Sequence, residues 1–316
     1  MKIIELTYPH HLKADELPPT VVAIGFFDGV HLGHQKVIQT AVNEATNRGM
    51  ESAVITFQPH PSIILKNGNE HVKYITPLKE KKAILKQLHV DRLYIITFNK
   101  DLSLLSPQKF IDHFIIGLHI KHLIAGFDFT YGHKGQGNMN NISLYAKEFF
   151  TYQAISKIES SKEKISSTRV RSFLRTGKIE RVNTLLGRIF SLSGTVIMGD
   201  QRGRKIGFPT INLQVNVDAL LPQSGVYAVQ VIHNNHTYQG MANIGVVPTF
   251  KKDVIKPTVE VHLFDFNQNL YGEKLEVKFL KFFRHEKKFN HIEELISQLK
   301  HDEQEIRKFF LNTFRK

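Results

Sequence analysis

Cysteine is absent from all 316 residues, which excludes disulfides, thiolate nucleophiles and cysteine-ligated zinc. Phosphate chemistry in such a chain must rest on His, Lys, Arg, carboxylates and a bound cation. Tryptophan is absent too, and aromatic and basic positions are not interleaved as a stacking surface for single-stranded nucleic acid requires. Long apolar runs are missing: Glu5 interrupts the opening MKIIELTYPH, and no later stretch approaches the roughly 20 residues that cross a bilayer. No membrane partner is expected, and a cytoplasmic protein is the default. There is no internal repeat, no low-complexity segment and no G-x-x-x-x-G-K-[ST] phosphate loop. What is abundant is positive charge: 42 Lys and Arg against 29 Asp and Glu leave a formal net charge of +13. Such a field attracts polyanions. The basic residues are scattered instead of forming a long run, so nucleotide substrates suit it as well as nucleic acid. With 41% hydrophobic and 22% charged residues, the chain can build two separate cores.

From Thr20 to about Leu123, short apolar runs (TVVAIG, SAVITF, RLYIITF, HLIAGF) alternate with segments of helical period, the pattern of a parallel sheet with crossover helices. Val37, Ile38, Ala41, Val42 and Ala45 share one helical face that Gly49 can end, and Ser106 with Pro107 reads as an N-cap and first helical residue. Two short helices follow, Thr168 to Thr176 closed by Gly177 and Ile179 to Leu186 closed by Gly187. The texture then changes, which places the domain boundary after Leu186: domains of 1–186 and 187–316. SGTVIMG, GVYAVQVI, TYQGMANIG, TVEVHLF and KLEVKFL, separated by Gly, Pro, Asn and Asp, predict an antiparallel barrel or sandwich. The spacing from His291 to Phe314 predicts terminal helices.

GFFDGVHLGH, residues 25 to 34, joins the first predicted strand to the first helix. A helix start offers unpaired N–H groups and a positive dipole end, and Gly29 and Gly33 let a phosphate approach the backbone. His31 and His34 flank that anion and can stabilise charge building on an attacked α-phosphate without a protein nucleophile. Alone, an H-x-x-H pair reads equally as two surface residues of a first helical turn. As a metal site it lacks a third ligand with suitable spacing.

GFFDGVHLGH resembles the signature of the adenylyltransferase domain of prokaryotic bifunctional riboflavin kinase/FAD synthetases. TFQPHP (56 to 61), GFDFTYG (126 to 132) and ISSTRVR (165 to 171) agree in order, the first two at carboxyl ends of predicted strands, where open α/β sheets bind ligands. The resemblance implies a Rossmann-like nucleotidyltransferase domain in which His31 and His34 contact the ATP phosphates, with Gly25, Phe27, Gly29 and Gly33 around them. Ser167, Thr168 and Arg171 would hold the phosphates from the opposite side; a guanidinium makes bidentate, charge-assisted bonds to phosphate. Which of Arg169, Arg171 and Arg175 faces the nucleotide stays open. Asp128 and Pro59 would lie near the flavin, although Asp128 reads equally as the residue holding the turn that follows it.

GDQRGRKIGFPTINL, residues 199 to 213, is a basic, glycine-rich segment leading into a strand. By itself it suggests an exposed turn. Its GFPTINL resembles the Mg-ATP motif of the riboflavin kinase domain, with Ile211 in place of the usual small residue. The resemblance gives Gly199, Gly207, Pro209, Thr210 and Asn212 to ATP, and Thr210 and Asn212 to Mg²⁺ as oxygen ligands. Without it, Thr210 and Asn212 are simply two residues sharing the outward face of a strand. In TVEVHLFDF, Val259, Val261 and Leu263 face the core and Glu260 with His262 the other side. Phosphoryl transfer to an alcohol needs a carboxylate to orient and deprotonate the hydroxyl, and the family motif present here as EVHLFDF assigns that role to Glu260. SGVYA, GMANIGVVPTF, NLYG and FFRHEKKF also agree in order, with Asn269 where Asp is common and Val247 where a polar residue is common before Pro248. Arg284 and Phe289 would border the isoalloxazine; capping and core packing explain them as easily.

The expectation is therefore a bifunctional flavin enzyme: an α/β domain adenylylating FMN to FAD, and an antiparallel β-barrel kinase domain phosphorylating riboflavin to FMN. Its partners would be ATP with Mg²⁺, riboflavin, FMN and FAD, with no nucleic acid; oligomeric state is left open. The rivals are a nucleotidyltransferase of the same superfamily acting on another acceptor, against which the second half argues, and a nucleic-acid-binding protein.

Overall fold

A computed structural model describes residues 1–65, 72–160, 163–199, 201–248 and 255–314, and the chain divides into two compact units, Met1–Ser167 and Thr168–Lys316. Thr249 and Phe250 of GMANIGVVPTF and Asp200 of the glycine-rich segment lie outside the described residues, as do the side chains of Val247 and Pro248.

In the first unit, β1 (Lys2–Leu6), β2 (Thr20–Ile24), β3 (Glu51–Gln58), β4 (Arg92–Thr97), β5 (Ile120–Gly126) and β8 (Thr151–Ile155) form a six-stranded parallel sheet in the order β1-β4-β3-β2-β5-β8. Two short ribbons, β6 (Thr130–Tyr131) with β7 (Gly137–Asn138) and β9 (Glu159–Ser160) with β10 (Glu163–Lys164), leave its carboxyl end. Central strands are covered on both faces, which explains their unbroken apolar runs. On one face Val22, Ile24, Ile55, Tyr94 and Ile96 meet Phe110, Phe114 and Ile142; on the other Val21, Ala23, Val54 and Leu93 meet Val37, Ile38, Ala41 and Ala45 of α1 (Leu32–Arg48). The two strands that sequence reading passed over, β1 and β8, are the sheet edges. Their exposed residues break the apolar run that identifies the others.

Local signals govern the helix ends. Gly49 closes α1 in the left-handed region at φ 63°, and Ser106 caps α5 (Pro107–Ile111), its hydroxyl accepting from the Lys109 amide. Between α1 and α5 lie α2 (Pro61–Leu65), α3 (Leu78–Gln87) and α4 (Lys100–Ser103), and after α5 a π-helical turn, Asp112–Ile116, and α6 (Ser143–Ala146). Strand β2 continues leftward to β3 and β4 but has β5 on its other side, so the strand order reverses at β2. That reversal opens a crevice at its carboxyl end.

The second unit contains α7 (Ser167–Arg175) from Thr168 onward, α8 (Ile179–Leu186) and a closed antiparallel barrel of β11 (Phe190–Ile197), β12 (Ile211–Val215), β13 (Gly225–His233), β14 (His236–Pro248), β15 (Ile255–Leu263) and β16 (Lys274–Arg284), ordered β11-β12-β15-β14-β13-β16. Residues 168–186, counted with the first domain in the sequence, cluster with the barrel; the Asn183 side chain ties α8 to it by donating to the Phe279 carbonyl and accepting from the Phe190 amide. The terminal helical segment expected from the spacing is one continuous helix, α10 (Ile292–Phe314). Ile306 and Phe310 of α10 pack on Val226, Ala228, Met241 and Phe264, a second small core outside the barrel. The single turn α9 (Arg202–Lys205) precedes β12.

Candidate active sites

Strand β2 delivers Gly25 to His34 into the crevice as a backbone of unusual curvature. Phe27 (φ 54°), Gly29 (φ 85°) and Val30 (φ 40°) all lie in the left-handed region. For two residues with side chains this is costly and persists only where surroundings over-determine it. Several anchors do so. The buried Asp28 carboxylate accepts from the amides of Ile75 and Thr76 at 3.3 and 3.2 Å, its carbonyl accepts from Ser167 Oγ at 2.9 Å, and Gln35 Nε2 donates to the Val30 carbonyl at 2.9 Å.

His31 caps α1. Its Nδ1 accepts from the His34 amide at 3.2 Å, which leaves the ring proton on Nε2, the donor a phosphate oxygen requires. The two imidazoles stack at 3.6 Å between centroids, and Phe27 meets His34 edge-on at 5.3 Å. Gly33 sits close under the imidazole: a Cβ there would stand 3.1 Å from the His31 ring, which would have to give by a few tenths of an ångström.

Beside this turn lies a cavity of about 650 Å³, lined among others by Gly25, Phe26, Phe27, His34, Phe57, Phe98 and Asp128. Its largely aromatic wall and few polar groups suit a flat heteroaromatic ring. Asp128 is paired with Lys164 at 2.7 Å and stays more than half exposed. Pro59 follows a cis peptide at Gln58 but does not line the cavity; Pro61 and Leu65 do. Thr168 and Arg171 belong to α7 in the second unit.

Lys81 escaped sequence reading. It is only 1% exposed, and its Nζ donates to the Phe26 carbonyl at 2.8 Å and to Thr56 Oγ1 at 3.3 Å, 4.6 Å from the Phe26 ring centroid. Burial pulls its ammonium down to about 8, partly opposed by the Asp28 carboxylate. In sequence it is one of several lysines on an amphipathic helix, with nothing to distinguish it.

The barrel offers a second site. Antiparallel register sets Asn212 of β12, Glu260 of β15 and Asn243 of β14 in one row across three strands. Alternation along β15 is as expected: Val259, Val261 and Leu263 are buried while Glu260 and His262 face outward, toward a cavity of about 290 Å³. That cavity is bordered by Phe208, Thr210, Asn243, Glu260, Arg284 and Phe289 among others. Thr210 also borders a second, larger cavity of about 420 Å³ with Gln201, Arg204, Pro209, Ile211, Asn269 and Tyr271. His262 Nδ1 donates to the Pro209 carbonyl at 2.7 Å and so holds the segment leading into β12. Gly199 lies against the Asn212 side chain so closely that any Cβ would collide with it, and Gly207 (φ 85°) turns the chain before Phe208.

Arg284 borders the smaller cavity, but its guanidinium is engaged by Asp302 of α10 at 2.6 to 3.0 Å, a carboxylate that also accepts from Gln298 at 2.9 Å. This pair links α10 to the segment carrying Phe289, a link that sequence spacing does not reveal. Of the three departures from the family pattern, Ile211 and Asn269 fall among the described side chains. Ile211 pairs with Val261 in the β12–β15 ladder, and Asn269 Oδ1 accepts from the Tyr271 amide at 3.0 Å, the turn-holding bond an Asp there could make.

Against known proteins, the family profile described as FAD synthetase matches residues 13–169, and that described as riboflavin kinase matches residues 186–310. The chain is 47% identical to the bifunctional riboflavin kinase/FMN adenylyltransferase of Listeria monocytogenes over 98% of both chains, and 46% identical to that of Bacillus subtilis over 99% of both. A crystal structure described as a macrolide-efflux protein from Streptococcus pneumoniae superposes with a TM-score of 0.88 at 32% identity, covering 97% of this chain and 99% of that one. Among the described residues of this chain, no helix is long and apolar enough to cross a membrane.

Proposed function

This chain belongs to the bifunctional riboflavin kinase/FMN adenylyltransferase family, and from that premise we propose how its residues divide the two reactions. It phosphorylates riboflavin to FMN and adenylylates FMN to FAD. The functional division is drawn at 186/187, with adenylyl transfer N-terminal and the kinase C-terminal.

In adenylyl transfer, an FMN phosphate oxygen attacks the α-phosphorus of ATP and pyrophosphate leaves. The isoalloxazine takes the aromatic cavity beside Phe26 and Phe57, and the ATP phosphates take the Gly25–His34 turn. His31, with its proton on Nε2, and His34 donate to the oxygens on which charge grows. Supporting this is the shared position of His34, which belongs to the turn and lines the cavity as well.

In the kinase reaction the riboflavin 5′-hydroxyl attacks the γ-phosphorus of ATP, the bond to the β,γ-bridging oxygen breaks and ADP leaves. Riboflavin takes the smaller barrel cavity, where Glu260 accepts the hydroxyl proton, and ATP takes the larger one. The observation that carries this reading is Thr210, which borders both cavities and so stands where a phosphoryl group would pass from one to the other. Mg²⁺ fits the donor set: Thr210 and Asn212 bring neutral oxygens beside a single carboxylate, and no group of three or more His, Cys, Asp or Glu that could hold a metal occurs among the described residues. Such a set holds Mg²⁺ together with the triphosphate instead of caging it alone. When bound, the ion neutralises phosphate charge; Thr210 and Asn212 orient the phosphates, and Glu260 holds the proton.

Product chromatography after mixing the full chain with riboflavin, ATP and Mg²⁺, and in parallel with FMN, tests the division. FMN and FAD should appear from riboflavin, and FAD from FMN. His31→Ala should stop only FAD formation and Glu260→Ala only FMN formation. If either substitution stopped both reactions in a folded protein, the two-site reading would fail.

A further inference from the structure

The Gly25–Val30 turn is strained, and beneath it lies Lys81, the most enclosed lysine among the described residues. A buried ammonium is expensive, so an apolar side chain in the same place would be the better choice for packing alone. Lys81 reaches the turn from α3, a separate segment of sequence. Its Nζ donates to the Phe26 carbonyl, which also accepts from Thr56 Oγ1 at 2.9 Å, and Lys81 donates to that same Thr56 oxygen. The three groups close a triangle that clamps the last carbonyl before the left-handed residues begin. On the far side of Phe27, the Asp28 carboxylate is held by the amides of Ile75 and Thr76, just upstream of the same helix. The turn is thus pinned through Phe26 and Asp28 to residues 75–81, and Lys81 brings a charged donor to that clamp.

We propose that Lys81 is a positioning residue for adenylyl transfer, its buried ammonium locking the Phe26 carbonyl so that the turn presents His31 and His34 to the phosphates in reactive geometry. It touches no substrate. The inference rests on the assignment of the ATP phosphates to the Gly25–His34 turn. Because misplacing reactive groups by about 1 Å costs on the order of 100-fold, the effect should fall on turnover and not on folding.

The test is Lys81→Met in the full chain, assayed for FAD from FMN, for FMN from riboflavin, and for thermal unfolding. Expected are a fall of about 100-fold in kcat for FAD formation with KM for FMN changed by less than about threefold, an unaltered kinase reaction, and a melting temperature equal to or above that of the parent. Activity and stability moving in opposite directions is what a packing role does not produce. Lys81→Gln, which keeps a donor without the charge, should recover part of the turnover. FAD formation within about threefold of the parent in either variant, or a joint loss of FAD formation and thermal stability, overturns the proposal; if the Met variant does not fold, the Gln variant decides by the same criteria. His31→Ala run alongside separates the two readings: if it retains FAD formation, the site assignment fails, whereas its loss beside an active Lys81→Met variant defeats only the role of Lys81.

Discussion

In the α/β unit the turn we assign to the ATP phosphates is one uninterrupted stretch, Gly25 to His34, whereas in the barrel Asn212, Asn243 and Glu260 meet only because β12, β14 and β15 run in register. The first site depends on backbone torsions that few sequences adopt, the second on ladder alignment that many sequences sustain. The difference predicts distinct weaknesses. A contiguous site fails when its backbone relaxes; a site spread over strands fails when one side chain is removed and its neighbours stay where they are.

The largest effects should come from the reacting groups. Glu260→Gln should lower FMN formation by roughly 10²- to 10⁴-fold, as removal of a general base does, with FAD formation from FMN unchanged in a coupled pyrophosphate assay. His31→Ala should cost FAD formation about 10²- to 10³-fold, the range for one charge-stabilising donor. Equal loss of both reactions in either variant would erase the contrast between the sites.

Next is the buried pair that joins α10 to the barrel. Asp302→Ala strands the Arg284 guanidinium and should destabilise the second unit by about 3 to 5 kcal/mol, read as a lowered urea midpoint, whereas Arg284→Met with Asp302→Leu should recover most of it. A smaller effect separates the units by pH. The Lys81 ammonium is held at about 8 against 10.5 when unfolded, with the Asp28 carboxylate as its opposing charge. Below pH 8 the folded state bears the full cost of the buried charge, about 3 kcal/mol. That cost disappears as pH rises from 8 to 10.5, so the parent should gain stability relative to Lys81→Met across this window. A difference that stays flat from pH 7 to 10.5 would place the lysine in water. The smallest change is Asn269→Asp: the side-chain oxygen that accepts from Tyr271 is kept, and the midpoint should move by less than about 0.5 kcal/mol.

The central strands, α1 with its Gly49 cap and the Ser106 cap were legible because each obeys a local rule of period or terminus chemistry. The edge strands β1 and β8 were not, since an edge buries too little to impose an apolar run. The candidate residues divide along the same line. His31, His34 and Gly33 sit in one motif at a strand–helix junction, and the structure stacks the rings and sets Gly33 tightly against that of His31. Glu260 could be placed on the outward face of its strand, but not opposite Asn212 and Asn243, because register is a property of pairs. Pro61, and not Pro59, lines the aromatic cavity: β3 ends at Gln58, and by Pro61 the chain has turned into α2, where strand alternation no longer applies.

By itself, the sequence determined what short-range physics dictates: the two-part architecture, the helix-capping turn with its two histidines and the family to which both halves belong. Only the tertiary structure decided which distant residues support those parts. Lys81 under Phe26, Asp302 on Arg284 and Thr210 between two cavities each depend on segments brought together by packing, and no periodicity along a chain encodes the partner of a buried charge.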